Sequence, residues 1–258
     1  MDYFTLEHCL VIFSLVFLGG FVDAVAGGGG LISLPGYFIA GLPPHLALGT
    51  NKLSALMGTS LTTFMLARRH LVRFKSSVLL IAAAFAGSFL GARIALVLSG
   101  RAVEAAMLVV LPAILAYLML RPRALGGGAA DEAPRGPRTQ ILCALISLCV
   151  GVYDGMFGPG TGTFLILAFT GIARLPLGLA NGSAKAVNLA TNIAAFAAFA
   201  HGGSVLFALG LAAGLFGIAG NFLGTRSFMK GGAHIARPVM IIVMAVFLCR
   251  VIWDLFMK

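Results

Sequence analysis

Apolar runs of about 20 residues, almost free of charge, recur from one end of this 258-residue chain to the other. A run of that length spans the hydrocarbon core of a bilayer as a helix. Lipid offers no partners to backbone N–H and C=O groups, so such spans must satisfy them internally. The chain is therefore expected to be an all-α polytopic membrane protein with the lipid bilayer as its surroundings. Composition agrees: hydrophobic residues make up 60% of the chain, charged residues 10%, and the mean hydropathy is +1.02. A soluble domain carries about 25% charged residues, far more than this chain has for a water-facing surface.

The formal net charge of +10 does not point to nucleic acid. The basic residues stand in short loops between apolar spans, where the positive-inside rule places them. Cys9, Cys143, Cys149 and Cys249 lie in apolar spans without metal-ligand spacing and read as small core residues. No metal site and no cofactor is expected. The opening MDYFTLEHC lacks the basic region of a cleavable signal, so the first span is expected to be retained.

The chain repeats itself. Setting GGFVDAVAGGGG beside VGVYDGMFGPGTG puts Asp23 on Asp154, an offset of 131, with Gly20 on Gly151, Gly27 on Gly158 and Gly29 on Gly160. LGTNKLSALMGT and NGSAKAVNLATN align at an offset of 133, which pairs Gly49 with Gly182 and Lys52 with Lys185. The same offset puts GSFLGAR (residues 87–93) on GNFLGTR (residues 220–226). Two separate blocks in one register mark a duplicated half. The first repeat is read as residues 1–120, the second as 140–258, and the Gly-, Pro- and charge-rich stretch 121–139 as a solvated linker on the cytoplasmic side.

Each half reads as a span, a short apolar piece and three further spans: 9–26, 31–41, 46–67, 77–98 and 103–120, then 141–157, 162–173, 180–200, 204–224 and 238–256. That makes about eight full spans and two pieces too short to cross alone, broken or re-entrant. If the short pieces cross, each half has five segments and the halves are inverted; if they only re-enter, the halves are parallel. Inversion gathers about twelve basic residues (Arg68, Arg69, Arg73, Lys75, the linker, Arg174 and the Arg226–Arg237 loop) on one side. It leaves Arg101 and Lys258 on the other, the distribution expected of cytoplasmic and outer faces. Inverted repeats with both termini outside are therefore expected.

Ionisable groups inside spans are costly unless they face a cavity or a partner. Here they come as three matched pairs: Asp23 with Asp154, Lys52 with Lys185, Arg93 with Arg226. Ionised, the six sum to +2, which suits an anion. Beyond each Asp a glycine-rich stretch interrupts the helix: Gly28, Gly29 and Gly30 in the first half, Gly160, Thr161 and Gly162 in the second. Such breaks free backbone N–H groups and aim the positive end of the next helix into the gap, as in the discontinuous helices of secondary transporters. Lys185, Asn188 and Asn192 share one helix face, and Asn51 and Lys52 stand at the matching place in the first half. Together these residues are the candidate anion site.

Blander roles remain open for each. Asp23 and Asp154 can act as local caps or as partners of Lys52 and Lys185, besides carrying a coupling proton. The glycines can serve close helix packing, GSFLG and GNFLG above all. Arg93 and Arg226 sit near span ends, where an arginine snorkels to the interface. The two half-sites also differ: Asn51 falls on Ala184, and Asn188 falls on Ala55.

GFVDAVAGGGGLISLP, LGTNKL, VYDGMFGPGTGTF, SAKAVNLATN and FLGTR together resemble the sulfite exporter TauE/SafE family of bacterial membrane transporters. The resemblance covers nearly the whole chain. It implies a multi-pass permease of the bacterial inner membrane that moves small sulfur-containing anions such as sulfite, sulfoacetate or other organosulfonates. The glycine-rich breaks and the Asn51–Lys52 and Lys185–Asn188 motifs match the family pattern. The expected function is thus a secondary transporter, exporting by alternating access. The alternatives are an anion channel or a permease for another small organic anion. No Walker A signature, H-E-x-x-H or G-x-S-x-G is present, so no enzyme is expected. Small-xxx-small faces also make a homodimer an expectation.

Overall fold

The computed structural model describes residues 5–72, 74–103, 105 and 136–231, and everything below refers to these. Eight helices are defined among them: α1 (Leu6–Ala26), α2 (Gly30–Ile39), α3 (Pro44–Ala67), α4 (Phe74–Val97), α5 (Pro137–Met156), α6 (Thr161–Gly171), α7 (Leu177–His201) and α8 (Phe207–Gly231). The expected span 238–256 and nearly all of 103–120 lie outside the described residues, as does the linker up to residue 135. The end of the expected linker is already helical, because α5 starts at Pro137, a residue that suits a first helical turn.

Local chemistry sets the helix ends. Thr5 caps α1 by accepting from the His8 N–H at 3.3 Å. Gly27 ends that helix with φ 80°, a left-handed conformation that favours glycine, and its N–H returns to the Asp23 carbonyl at 2.8 Å. Gly160 opens α6 from the same region of backbone space, with φ 81°. The expected breaks thus fall where the glycines are.

Four helices are long and apolar enough to cross a membrane: α1, α4 (from Ser77), α5 and α8. They turn large apolar side chains outward, among them Leu10, Leu18, Val78, Leu90, Ile141, Leu145, Leu211 and Leu215. Helices α3 and α7 are as long but fall short of that hydropathy because they carry Asn51, Lys52, Thr59, Lys185, Asn188 and Asn192, all buried. Polar helices sit in the middle and apolar helices shield them, as in a protein whose solvent is lipid.

The two halves interlock. Helix α8 of the second half packs on α1 and α3 of the first, and α4 of the first packs on α5 and α7 of the second. Glycine makes these approaches close. A Cβ at Gly220 would sit 2.0 Å from the Phe17 carbonyl oxygen, and one at the equivalent Gly87 would sit 2.4 Å from that of Leu148. Gly224 against Phe21 repeats as Gly91 against Val152, and Gly49 against Ser204 repeats as Gly182 against Leu71. The glycines of GSFLG and GNFLG are therefore used within the chain, between its halves. Lipid provides no hydrophobic drive between helices, so such backbone approaches carry the packing.

Contacts also fix direction. Gly217 against Gly20 and Gly224 against Phe21 make α1 and α8 parallel. Thr59 bonds Asn192 while Thr63 bonds the Lys185 carbonyl, so α3 and α7 run antiparallel. Gly19 against Ser33 and Gly36 against Leu15 fold α2 back along α1 as a hairpin. In the second half, the Tyr153 ring meets Phe164 edge-on at 5.4 Å and joins α5 to α6. The tips of the two pairs meet: Thr163 donates its N–H to the Gly27 carbonyl at 3.1 Å and its hydroxyl to that of Ala26 at 2.9 Å.

Candidate functional site

Both lysines are buried, and each is ion-paired to an aspartate of the other half. Lys52 Nζ donates to Asp154 Oδ2 at 2.7 Å, and Lys185 Nζ donates to Asp23 Oδ2 at 2.8 Å and also to the Asp23 backbone carbonyl. A buried ammonium is tolerable only when paired and hydrogen-bonded, and the duplication provides that pairing crosswise.

A cavity of about 50 Å³ opens beside Lys52, where the hairpin tips meet α3 and α7. The first break contributes Gly27, Gly29 and Gly30, and α1 adds Asp23. Asn51 and Lys52 line it from α3, and Asn188 and Asn192 from α7. Asp154, Thr161 and Gly162 close it from the second break. A water needs about 10–15 Å³ measured this way, so there is room for about three to five waters or one compact oxyanion.

The wall is rich in donors. Lys52 also reaches Asn192 Oδ1 at 3.4 Å, and Asn192 Nδ2 continues to the Thr59 hydroxyl at 3.4 Å. Ser33 donates to Asn51 Oδ1 at 2.7 Å, which leaves the Asn51 amide nitrogen as an unused donor. The Thr161 hydroxyl lies 2.6 Å from Asp154 Oδ1, so that carboxylate is held on both oxygens. At the start of α2 the N–H groups of Leu31, Ile32 and Ser33 turn back to the Gly28 and Gly29 carbonyls, which leaves the N–H of Gly30, at the cavity wall, as the donor of that helix end.

Of the residues singled out in the sequence, Asp23, Gly29, Gly30, Asn51, Lys52, Asp154, Thr161, Gly162, Asn188 and Asn192 meet here. Gly28, Gly160 and Lys185 stand behind the wall. Arg93 and Arg226 lie away from it: both are exposed, over the rings of Phe89 and Phe222 at 6.0 and 4.2 Å. Without them the four buried charges cancel, so the +2 counted along the sequence is not the charge of this site. Ser33, Ser54, Thr59 and Asn221 add further polar groups to the lining. Asn221 had a signal in the sequence, being the polar residue inside GNFLG where GSFLG has Ser88. Among the described residues, no group of three or more His, Cys, Asp or Glu is placed to hold a metal.

The cavity belongs to one half-site. Equivalents of Gly19, Asn51 and Ser54 are Val150, Ala184 and Val187. Larger and apolar side chains thus stand where the twin cavity would be.

The profile of the sulfite exporter TauE/SafE family matches residues 12–251 of this sequence. The chain belongs to that family. Its relatives include the "Probable membrane transporter protein ORF9" of a Sinorhizobium species, 37% identical over 94% of this chain and 92% of that one. "Probable membrane transporter protein YfcA" of Escherichia coli K12 is 34% identical over 95% and 89%. A "Probable membrane transporter protein" of Haemophilus influenzae is 32% identical over 95% and 94%. No solved structure matches the chain. As a TauE/SafE family member with apolar outer helices, this is a multi-pass membrane transporter.

Proposed function

We propose that the protein exports a small sulfur oxyanion, sulfite in the first instance, across the bacterial inner membrane by alternating access. The observation that carries the reading is the set of donors around one small cavity: Lys52, the amides of Asn51, Asn188 and Asn192, and the N–H of Gly30 at the start of α2. These groups match what an oxyanion loses when it leaves water. The volume favours sulfite or thiosulfate over longer organosulfonates. The family description, sulfite exporter, points the same way.

Support for alternating access comes from the antiparallel course of α3 and α7, equivalent helices of the duplication. This is the relation expected of inverted repeats whose hairpins enter from opposite faces and meet near the midplane. Because the four buried charges cancel, one anion alone would leave the site charged in a low-dielectric interior. Sulfite is a dianion, so entry with two monovalent cations, protons or sodium ions, restores neutrality, and Asp154 beside Lys52 is the carboxylate that would take one of them.

The test is sulfite flux in proteoliposomes. Lys52→Ala is expected to reduce uptake by at least about tenfold, the value of one hydrogen bond to a charged group, while still inserting. Unchanged flux refutes the site. Flux that neither saturates nor shows counterflow makes the protein a channel instead.

A further inference from the structure

The stripe of α7 that brings Asn188 and Asn192 to the cavity continues past it. At about 100° per residue, Asn181, Lys185, Asn188 and Asn192 fall within about 60° of one another on one helix face. Asn181 lies one turn before Lys185, on the side away from the cavity, about 6 Å along the axis. It is fully buried, and among the described residues neither its carboxamide oxygen nor its nitrogen has a hydrogen-bond partner. Among buried side chains only His8 Nδ1 shares this condition.

An unpaired buried amide costs stability, and native proteins leave few of them. Packing does not demand one here. The equivalent position in the first half is Leu48, a core residue with the same branched four-atom outline that carries no polar group. So Asn181 keeps its amide against a stability cost, without a partner among the described residues, in line with the donors of the anion cavity.

We propose that Asn181 is a second station for the transported anion, beyond the Lys185–Asp23 pair. The inference rests on the anion reading of the cavity. An anion entering from the N-terminal end of α7 meets the Asn181 amide nitrogen first, then the Lys185 ammonium, which Asp23 releases as the anion replaces its carboxylate, and Asn188 then receives it. From Asn192 to Asn181 the stripe covers about 16 Å, roughly half a hydrocarbon core. That is the distance from the middle of the membrane to one face. Beyond the N-terminal end of α7 the exposed Arg174 stands in the loop where the anion would enter. Lys185 thus acts as a gate between two stations, while Lys52 holds the first.

The test uses the full chain with sulfite as probe, in detergent for melting and in proteoliposomes for counterflow. Asn181→Leu is expected to melt higher than the parent, since it removes the unpaired amide, and to keep the sulfite-induced rise in melting temperature. Its counterflow is expected to fall by about tenfold, again the value of one hydrogen bond to a charged group. Asn181→Gln keeps an amide and is expected to stay closer to the parent. Undiminished counterflow in Asn181→Leu overturns the station. Equal losses in the Leu and Gln variants overturn it too, as does a lowered melting temperature with no sulfite shift, since both mark a packing residue. A parent protein that shows no sulfite shift brings down the cavity reading itself, and the station with it.

Discussion

Lys52 and Lys185 stand at equivalent places, and each holds an aspartate of the opposite half, yet only Lys52 borders the cavity. The difference comes from the residues at equivalent positions: the second half has Val150, Ala184 and Val187 where the first has Gly19, Asn51 and Ser54. A buried ion pair contributes little net stability over an apolar pair of like size, but removing one member strands a charge. Lys52→Met alone is therefore expected to destabilise by about 3–5 kcal/mol, and Lys52→Met with Asp154→Leu to recover most of that loss. Chemical denaturation in detergent checks this; a double variant as unstable as the single would remove the pairing argument. The recovered double variant should still fail to move sulfite, which separates folding from transport. The sequence made these residues conspicuous, because a buried charge that recurs in both halves is hard to dismiss. It did not show that the pairs cross between halves, or that Arg93 and Arg226 turn outward, since helix rotation depends on which neighbours a face meets.

At the scale of the helices, the glycine runs do two jobs at once. They stop α1 and free the start of α2, and they let the hairpin tips approach backbone to backbone. A Cβ at Gly162 would lie 2.6 Å from Gly27 Cα, whereas one at Gly171, also in α6, would meet nothing within 4 Å. Gly162→Ala is expected to cost about 1–3 kcal/mol by overpacking and to reduce flux by displacing the tips. Gly171→Ala should stay within about 0.5 kcal/mol of the parent. Equal effects from the two would mean that the tips do not hold the site together. Both breaks were legible because glycine is poor in helices. The return of α2 along α1 was not: it depends on Gly19 meeting Ser33, a contact that composition does not encode.

For the molecule as a whole, duplication is the property that the sequence carried furthest. It located both breaks, both lysines and the glycine faces, and those faces then made the same contacts twice in space. Direction was less accessible, because counting segments gives opposite answers according to whether the short pieces cross. Contacts between equivalent helices bear on it directly: Arg68 and His201 end α3 and α7, are equivalent at the offset of 133, and are both exposed. Inverted halves put them on opposite sides of the membrane; parallel halves put them together. In a chain whose four cysteines are replaced by alanine, His201→Cys is expected to react with an impermeant maleimide in intact cells. Arg68→Cys should react only in everted vesicles, because the basic loop that follows it belongs in the cytoplasm. Labelling of both from one side would exclude inverted repeats, and with them alternating access by exchange of two equivalent hairpins. Labelling with the sides exchanged would keep the symmetry and reverse the orientation, placing the open cavity on the cytoplasmic side of the Lys185 gate.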